Sequence, residues 1–386
     1  MKKNLLILGI LSLGCALSFT SCGDDDDDNN GGNNEETSED FYVSTAEYSS
    51  DNAAQWGNYM RVVSGLLVDD SKTLYDEWNK SFAQTFINHN SSNYLSAINC
   101  IETILDGCTD IASEVGATKI GEPVSLYESG KKTEALYAVE SWFSWHSRVD
   151  YCNNIYSIKN SVFGSRNGVV NSSSISAILA EKNPEMNEKL ISLINAAAKA
   201  IDDIPQPFRN NIGSSEAKTA QAACANLEEY ISKYVKPYFQ SNINSDDVLD
   251  PIVETYVNNV VLPTYKELAE ANVALNSAVV AFQQNPSNDG FEKCCEAWLK
   301  AREPWETSEA FLFGPVADKG LDPNMDSWPL DQKSIENILK SQDFAELNWD
   351  GEYDEESEEI AKSQNLRGFH TLEFLIFKDG KARTIK

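Results

Sequence analysis

The chain has 386 residues, 41% hydrophobic and 24% charged, which is enough for two domains with real cores, and its 20 glycines and 12 prolines are too few for a low-complexity or collagen-like chain. A formal charge of −29 excludes nucleic acid as a partner and any basic membrane-binding surface, leaving cations or basic partners as natural guests. Only His89, His146 and His370 are present, so a three-imidazole metal centre would consume every histidine.

Lys2 and Lys3 precede an apolar run, Leu5 to Phe19, that is shorter than the ~20 residues a membrane-spanning helix needs. Residues 1–21 therefore read as an export signal. Thr20-Ser21-Cys22-Gly23 comes next, then aspartates from Asp24 to Asp28 and an Asn/Gly stretch to Asn34. Small residues before a cysteine and a polar tether over 22–40 resemble a bacterial lipoprotein signal, with Cys22 as the lipid anchor. Cys15 is the competing position, but no tether follows it. The acidic run resembles the surface-export signals of Bacteroidetes lipoproteins. That resemblance implies an outer-membrane lipoprotein, at the cell surface or on the periplasmic face, with the membrane as partner through its lipid.

Behind the tether, 41–245 and 246–386 read as two helical bundles, an all-α fold with little or no sheet. Ala135, Val139, Trp142, Phe143 and Val149 fall at steps that predict one helix. Leu190, Ile194, Ala197 and Ile201 predict another, closed by Pro205 and Pro207. From Val253, the residues Val257, Val260, Leu268, Ala271, Leu275 and Phe282 mark a long helix that Pro263 should kink and Asn285-Pro286 should end. Turn signals lie at 164–174, 204–215 and 314–329, and the polar stretch 241–251 is the expected domain boundary. Cys100, Cys108, Cys152, Cys224, Cys294 and Cys295 contain no Cys-x-x-Cys pair, which excludes a zinc ribbon; buried free thiols are expected. The acidic run 350–359 reads as a solvated face.

The sharpest motif is at 367–377, Arg-Gly-Phe-His-Thr-Leu-Glu-Phe-Leu-Ile-Phe. On a helix His370 and Glu373 are i and i+3, so both leave one face. That pair is half of a metal site, a structural hydrogen bond, or a base with its orienter. The zinc-protease pattern His-Glu-x-x-His and its inverted form are both absent.

Gly368-Phe369-His370-Thr371-Leu372-Glu373 resembles the Gly-x-His-x-x-Glu signature of the imelysin-like family. Upstream, Ala301 to Glu306, Ser308 to Pro315, Asp326-Ser327-Trp328-Pro329 and Val260 to Tyr265 resemble that family in the same order, over about 252–377. In most members this block opens the domain, whereas here 111–116 and 140–150, which resemble the second half, stand before it. The expectation is a circular permutation. The resemblance implies two hypotheses: binding of a divalent metal, iron or a metal-associated ligand in iron uptake, with other envelope proteins of that process as partners, or metallopeptidase activity.

For such a site Glu309 is the third-ligand candidate beside His370 and Glu373, because it has no near partner in sequence. Arg302 and Glu306 are spaced as an ion pair. Glu140, Ser144, Ser147 and Asn154, with Asp150 beside them, form a polar stripe that is either a buried hydrogen-bond network or the wall facing His370. Gly368, Ser144, Asp150, Glu140 and Arg302 are the expected lining. One histidine with carboxylates suits iron or calcium as well as zinc, which favours binding over proteolysis.

Overall fold

Nearly all regular structure is helical in the computed structural model, which describes residues 42–385. The all-α expectation holds. Among the described residues, the strands β1 (Phe377–Lys378) and β2 (Lys381–Ala382) form a short antiparallel hairpin, Phe377 opposite Ala382. The export signal, Cys22 and the tether lie outside the described residues.

The helices that position the site are α1 (Ala53–Glu77), α2 (Ala97–Ser113), α3 (Ser147–Phe163), α4 (Pro184–Asp202), α5 (Ser215–Tyr230), α6 (Asp246–Tyr256), α7 (Leu262–Gln284), α8 (Asn288–Glu306), α9 (Leu321–Asp326) and α10 (Gly368–Ile376). Their starts follow local chemistry. The Ser287 hydroxyl accepts the Gly290 N–H ahead of α8 at 3.0 Å. Asn183 accepts the Met186 N–H ahead of α4 at 3.2 Å, and Pro184 stands where a helix needs no N–H.

The long helix expected from Val253 is two helices, α6 and α7, joined by a π-helical turn at Val257–Val261. Pro263 stands in the first turn of α7, directly after that π-helical turn. α1 packs along α7 and α7 along α8, while α4 packs against α3 and α5. α10 lies against α1, α8 and α9, so every residue in it is buried. One apolar core includes Trp56, Trp78, Trp298 and Trp305, and truncating such a side chain typically removes about 3–5 kcal/mol. The stretch 241–251 joins a short helix, Lys236–Asn242, to α6, and the residues on both its sides share this core within one compact unit.

The helix expected through Ala135 to Val149 is broken. It runs only over Lys132–Ala138, and α3 starts again at Ser147. Val139 is extended, and Ser141 and Trp145 take positive φ of 52° and 61°, which no α-helix accommodates. Apolar spacing misled here because Trp142 and Phe143 are buried by a turn, stacked on each other at 4.3 Å. Gly380 in the hairpin donates its N–H to the Phe143 carbonyl at 2.9 Å and ties the turn down. All six described cysteines are free and buried, and burial pushes the Cys108 thiol up to about 12. Residues 350–359 are mostly exposed.

Candidate functional site

Gly368 starts α10 at φ +88°, and a Cβ there would lie 2.5 Å from the Met325 carbonyl oxygen. Only glycine lets the start of α10 sit directly on the end of α9. This contact brings His370 over Asp326.

The imidazole is fully buried and has polar neighbours on both sides. Nδ1 lies 3.0 Å from Glu373 Oε2, and Glu373 Oε1 accepts the Ser144 backbone N–H at 2.7 Å. Nε2 lies 3.1 Å from Asp326 Oδ1, 3.2 Å from Glu140 Oε1 and 3.3 Å from Arg302 Nη2. The Trp328 ring meets the imidazole edge-to-face at 4.8 Å.

Arg302, entirely buried, is the hub. It donates to Glu140 at 2.8 Å and to Asp326, pairs with Glu306 at 2.5 Å, and lies 3.7 Å from Asp150. Each carboxylate is held by a further donor. Trp305 Nε1–H donates to Asp326 Oδ2 at 2.6 Å, Asn154 to Glu306 at 2.5 Å, and the Ser141 hydroxyl to Asp150 at 2.6 Å. Lys119 pairs with the second oxygen of Glu140 at 3.1 Å.

A cavity of about 220 Å³ opens beside this cluster, walled by Glu140, Asp326, Glu309, Asp322, Lys119 and Trp328 among others.

Burial and proximity divide these groups electrostatically. Burial raises the Glu140 carboxyl, but Lys119, His370 and Arg302 outweigh it and hold it well below the usual range. Asp326 is likewise lowered against its burial, by Arg302 and His370. Burial and the Arg302 charge pull the His370 imidazole down, yet Asp326 and Glu140 overcome both and hold it well above its ordinary value. Burial pushes Glu309 and Glu306 well up, and burial with the Asp326 charge raises Asp322 to about 7.

Of the residues expected from sequence, His370, Glu373, Glu140, Arg302, Gly368 and Ser144 come together. Ser144 contributes its backbone rather than its hydroxyl, which bonds to the Ser141 carbonyl at 3.2 Å. Asp150 touches Arg302 and not the imidazole. Glu309 stands on the cavity wall, within 4.8 Å of Glu306 and Asp326 by its ligand oxygens. Sequence reasoning read Asp326 and Trp328 as part of a family-like segment without placing them in the site, and it missed Asp322 and Lys119. The i, i+4 spacing of Asp322 and Asp326 ahead of Trp328-Pro329 was the available signal. Lys119, inside a π-helical turn at Glu114–Ile120, had none.

The donor atoms of Glu140, Asp326 and His370 lie within 4.8 Å of one another and come from three separate elements. Glu373 on the opposite ring nitrogen is placed as the carboxylate that orients a metal-binding histidine. Such a set fits a metal ion of hard to borderline character.

The peptidase M75 family model, Imelysin, matches residues 24–234 and 261–386. The solved structure of an imelysin peptidase from Bacteroides ovatus is 52% identical to this chain, covers 89% of it and 99% of its own length, and superposes with a TM-score of 0.87. Iron-regulated protein A of Synechococcus elongatus is 30% identical over 131 residues, 34% of this chain and 32% of that relative. The chain thus spans about a third of the length of that curated relative. On a family match that takes in most of its length, the chain belongs to the imelysin family.

Proposed function

We propose that this chain binds a metal ion, or a ligand carrying one, at the buried site around His370, and does so as an envelope lipoprotein taking part in iron uptake. The observation that carries the reading is the donor triangle of His370, Glu140 and Asp326 beside an open cavity, its imidazole oriented by Glu373. A bound ion would be a fixed positive charge that polarises what coordinates it. It would take Nε2, Glu140 and Asp326 from Arg302, which keeps Glu306 and Asp150 as partners. The name of iron-regulated protein A supports iron as the metal. Anchoring through Cys22, an outer-membrane location and partners among other iron-uptake envelope proteins belong to the same reading, as does exchanged order of the two halves relative to most of the family. None of the described helices is long and apolar enough to cross a membrane.

A second reading, metallopeptidase, is favoured by the name of the Bacteroides ovatus structure. It requires an open metal position and a general base at the cavity. The primary test is anaerobic Fe²⁺ titration of the mature protein, alongside His370→Ala and a His370, Glu373 double substitution. Binding should be present in the wild type and lost in both variants with helical content intact. A wild type that binds no metal, with a double variant that unfolds, would make the pair a structural hydrogen bond. Cleavage of an unstructured protein substrate that stops on chelation would select the peptidase reading.

A further inference from the structure

We propose that Lys119 is a specificity-determining residue of the site: its ammonium is the built-in counter-ion of Glu140, which an ion of higher charge drives over to Glu114. The inference rests on the metal-binding reading and deepens it, by naming what an incoming ion has to overcome and which ions can.

Backbone geometry puts Lys119 in this position. Glu114 and Lys119 are five residues apart, a spacing that an α-helix turns well away from each other. The π-helical turn Glu114–Ile120, with its i to i+5 repeat, brings both onto the cavity wall. That turn is anchored. A Cβ at Gly116 would lie 2.8 Å from Cys224 Cβ on α5, and Tyr151 donates its hydroxyl to the Lys119 carbonyl at 3.2 Å. What is left to move is the lysine side chain.

Its Nζ stands 3.1 Å from Glu140 Oε2 and 3.7 Å from Glu114 Oε1. Arg302, the other fixed cation beside Glu140, is fully buried and pinned by Asp326 and Glu306 as well, so it has nowhere to go. Lys119 has Glu114. The lysine side chain is 8% exposed and that of Glu114 38%, so the ammonium gains solvent contact as it shifts. A divalent ion held by Nε2 and Glu140 Oε1 would face the ammonium across a single carboxylate, and their repulsion favours the shift. A monovalent ion carries no more charge than the ammonium and has no such advantage. The lysine thereby reserves Glu140 for ions of higher charge.

The test is Mn²⁺ titration of the mature wild type and Lys119→Met, read by electron paramagnetic resonance of the free ion, with lysine acetylation by acetic anhydride mapped by mass spectrometry with and without Mn²⁺. Lys119→Met should bind Mn²⁺ at least tenfold more tightly than wild type. Exchanging tetramethylammonium for Na⁺ at constant ionic strength should leave the wild-type affinity unchanged and weaken that of Lys119→Met severalfold. Acetylation of Lys119 should be low without metal and rise on loading. Equal or weaker binding by Lys119→Met, or Na⁺ competing alike in both, overturns the role of Lys119 and leaves the His370 site standing. Acetylation that stays level or falls on loading overturns the shift to Glu114, and needs only the wild type where Lys119→Met fails to fold. No Mn²⁺ bound by the wild type overturns the metal-binding reading and this inference together.

Discussion

Gly368→Ala tests whether the contact between α9 and α10 sets the site. Gly130 has the same φ of +88°, with nothing within 4 Å of where an alanine methyl would stand, so Gly130→Ala measures the conformational penalty alone. That penalty is roughly 1–2 kcal/mol, partly offset by the smaller entropy of the unfolded alanine chain. At Gly368 the methyl would meet Met325 O at 2.5 Å and Asn324 O at 3.0 Å, both backbone atoms that cannot rotate away. Relief requires the first turn of α10 to withdraw by half an ångström or more, since real contacts of this kind begin near 3.0 Å. His370 moves with that turn, stretching its 3.1 and 3.2 Å contacts to Asp326 and Glu140. Hydrogen bonds to charged groups contribute about 1.5–3 kcal/mol each, so the loss should exceed that of Gly130→Ala by about 2 kcal/mol. Urea unfolding checks this as a fall in midpoint at constant slope. A difference below about 0.5 kcal/mol, within the ordinary range of surface substitutions, would refute the positioning argument.

The all-helical fold was legible because its signals are local: apolar steps of three and four, and Ser or Asn ahead of helix starts. The His370–Glu373 pair was legible for the same reason, since i and i+3 on one helix fix two side chains without knowledge of the rest. The Glu140–Ser144 turn was not. Its Trp142 and Phe143 are as buried as helix residues, and nothing in the spacing announces the positive φ at Ser141 and Trp145. Glu140 still stands out in the sequence, because a carboxylate among buried neighbours must find a partner whatever the backbone does. Asp326 was legible as part of the Asp326-Ser327-Trp328-Pro329 segment but not as a site residue, for the opposite reason. Its role depends on Gly368 allowing two helix ends to touch, and on Arg302 crossing from α8, contacts separated by tens of residues. Lys119 depends on a π-helical turn that rotates it inward, which no helical period predicts.

Cys22→Ser should leave an unlipidated chain that no longer partitions with membranes; unchanged partition and lipid labelling would remove the anchor. In chelator, Asp322→Asn should stabilise the protein at pH 8 and change little at pH 4. Its carboxyl, raised from 3.8 to about 7, keeps a proton in the folded state that the unfolded chain releases, so stability declines between those values, by at most about 4 kcal/mol. Equal melting shifts at both pH values would contradict this. The His370 imidazole gives the last prediction, in which stability and metal affinity move in opposite directions with pH. Its folded pKa stands well above the ordinary 6.5, through Asp326 and Glu140, against burial and Arg302. The charged ring therefore stabilises the metal-free fold fully below 6.5, and that contribution disappears as pH rises through the raised value. A metal at Nε2 needs the neutral ring, so its affinity should climb about tenfold per pH unit and continue to climb above 6.5. Fe²⁺ or Mn²⁺ titrations from pH 5.5 to 8.5 measure the slope. His370→Gln should bind too weakly for any such slope to be measured. A wild-type affinity that levels off at 6.5, or a slope unchanged in His370→Gln, would show that the imidazole is not a ligand.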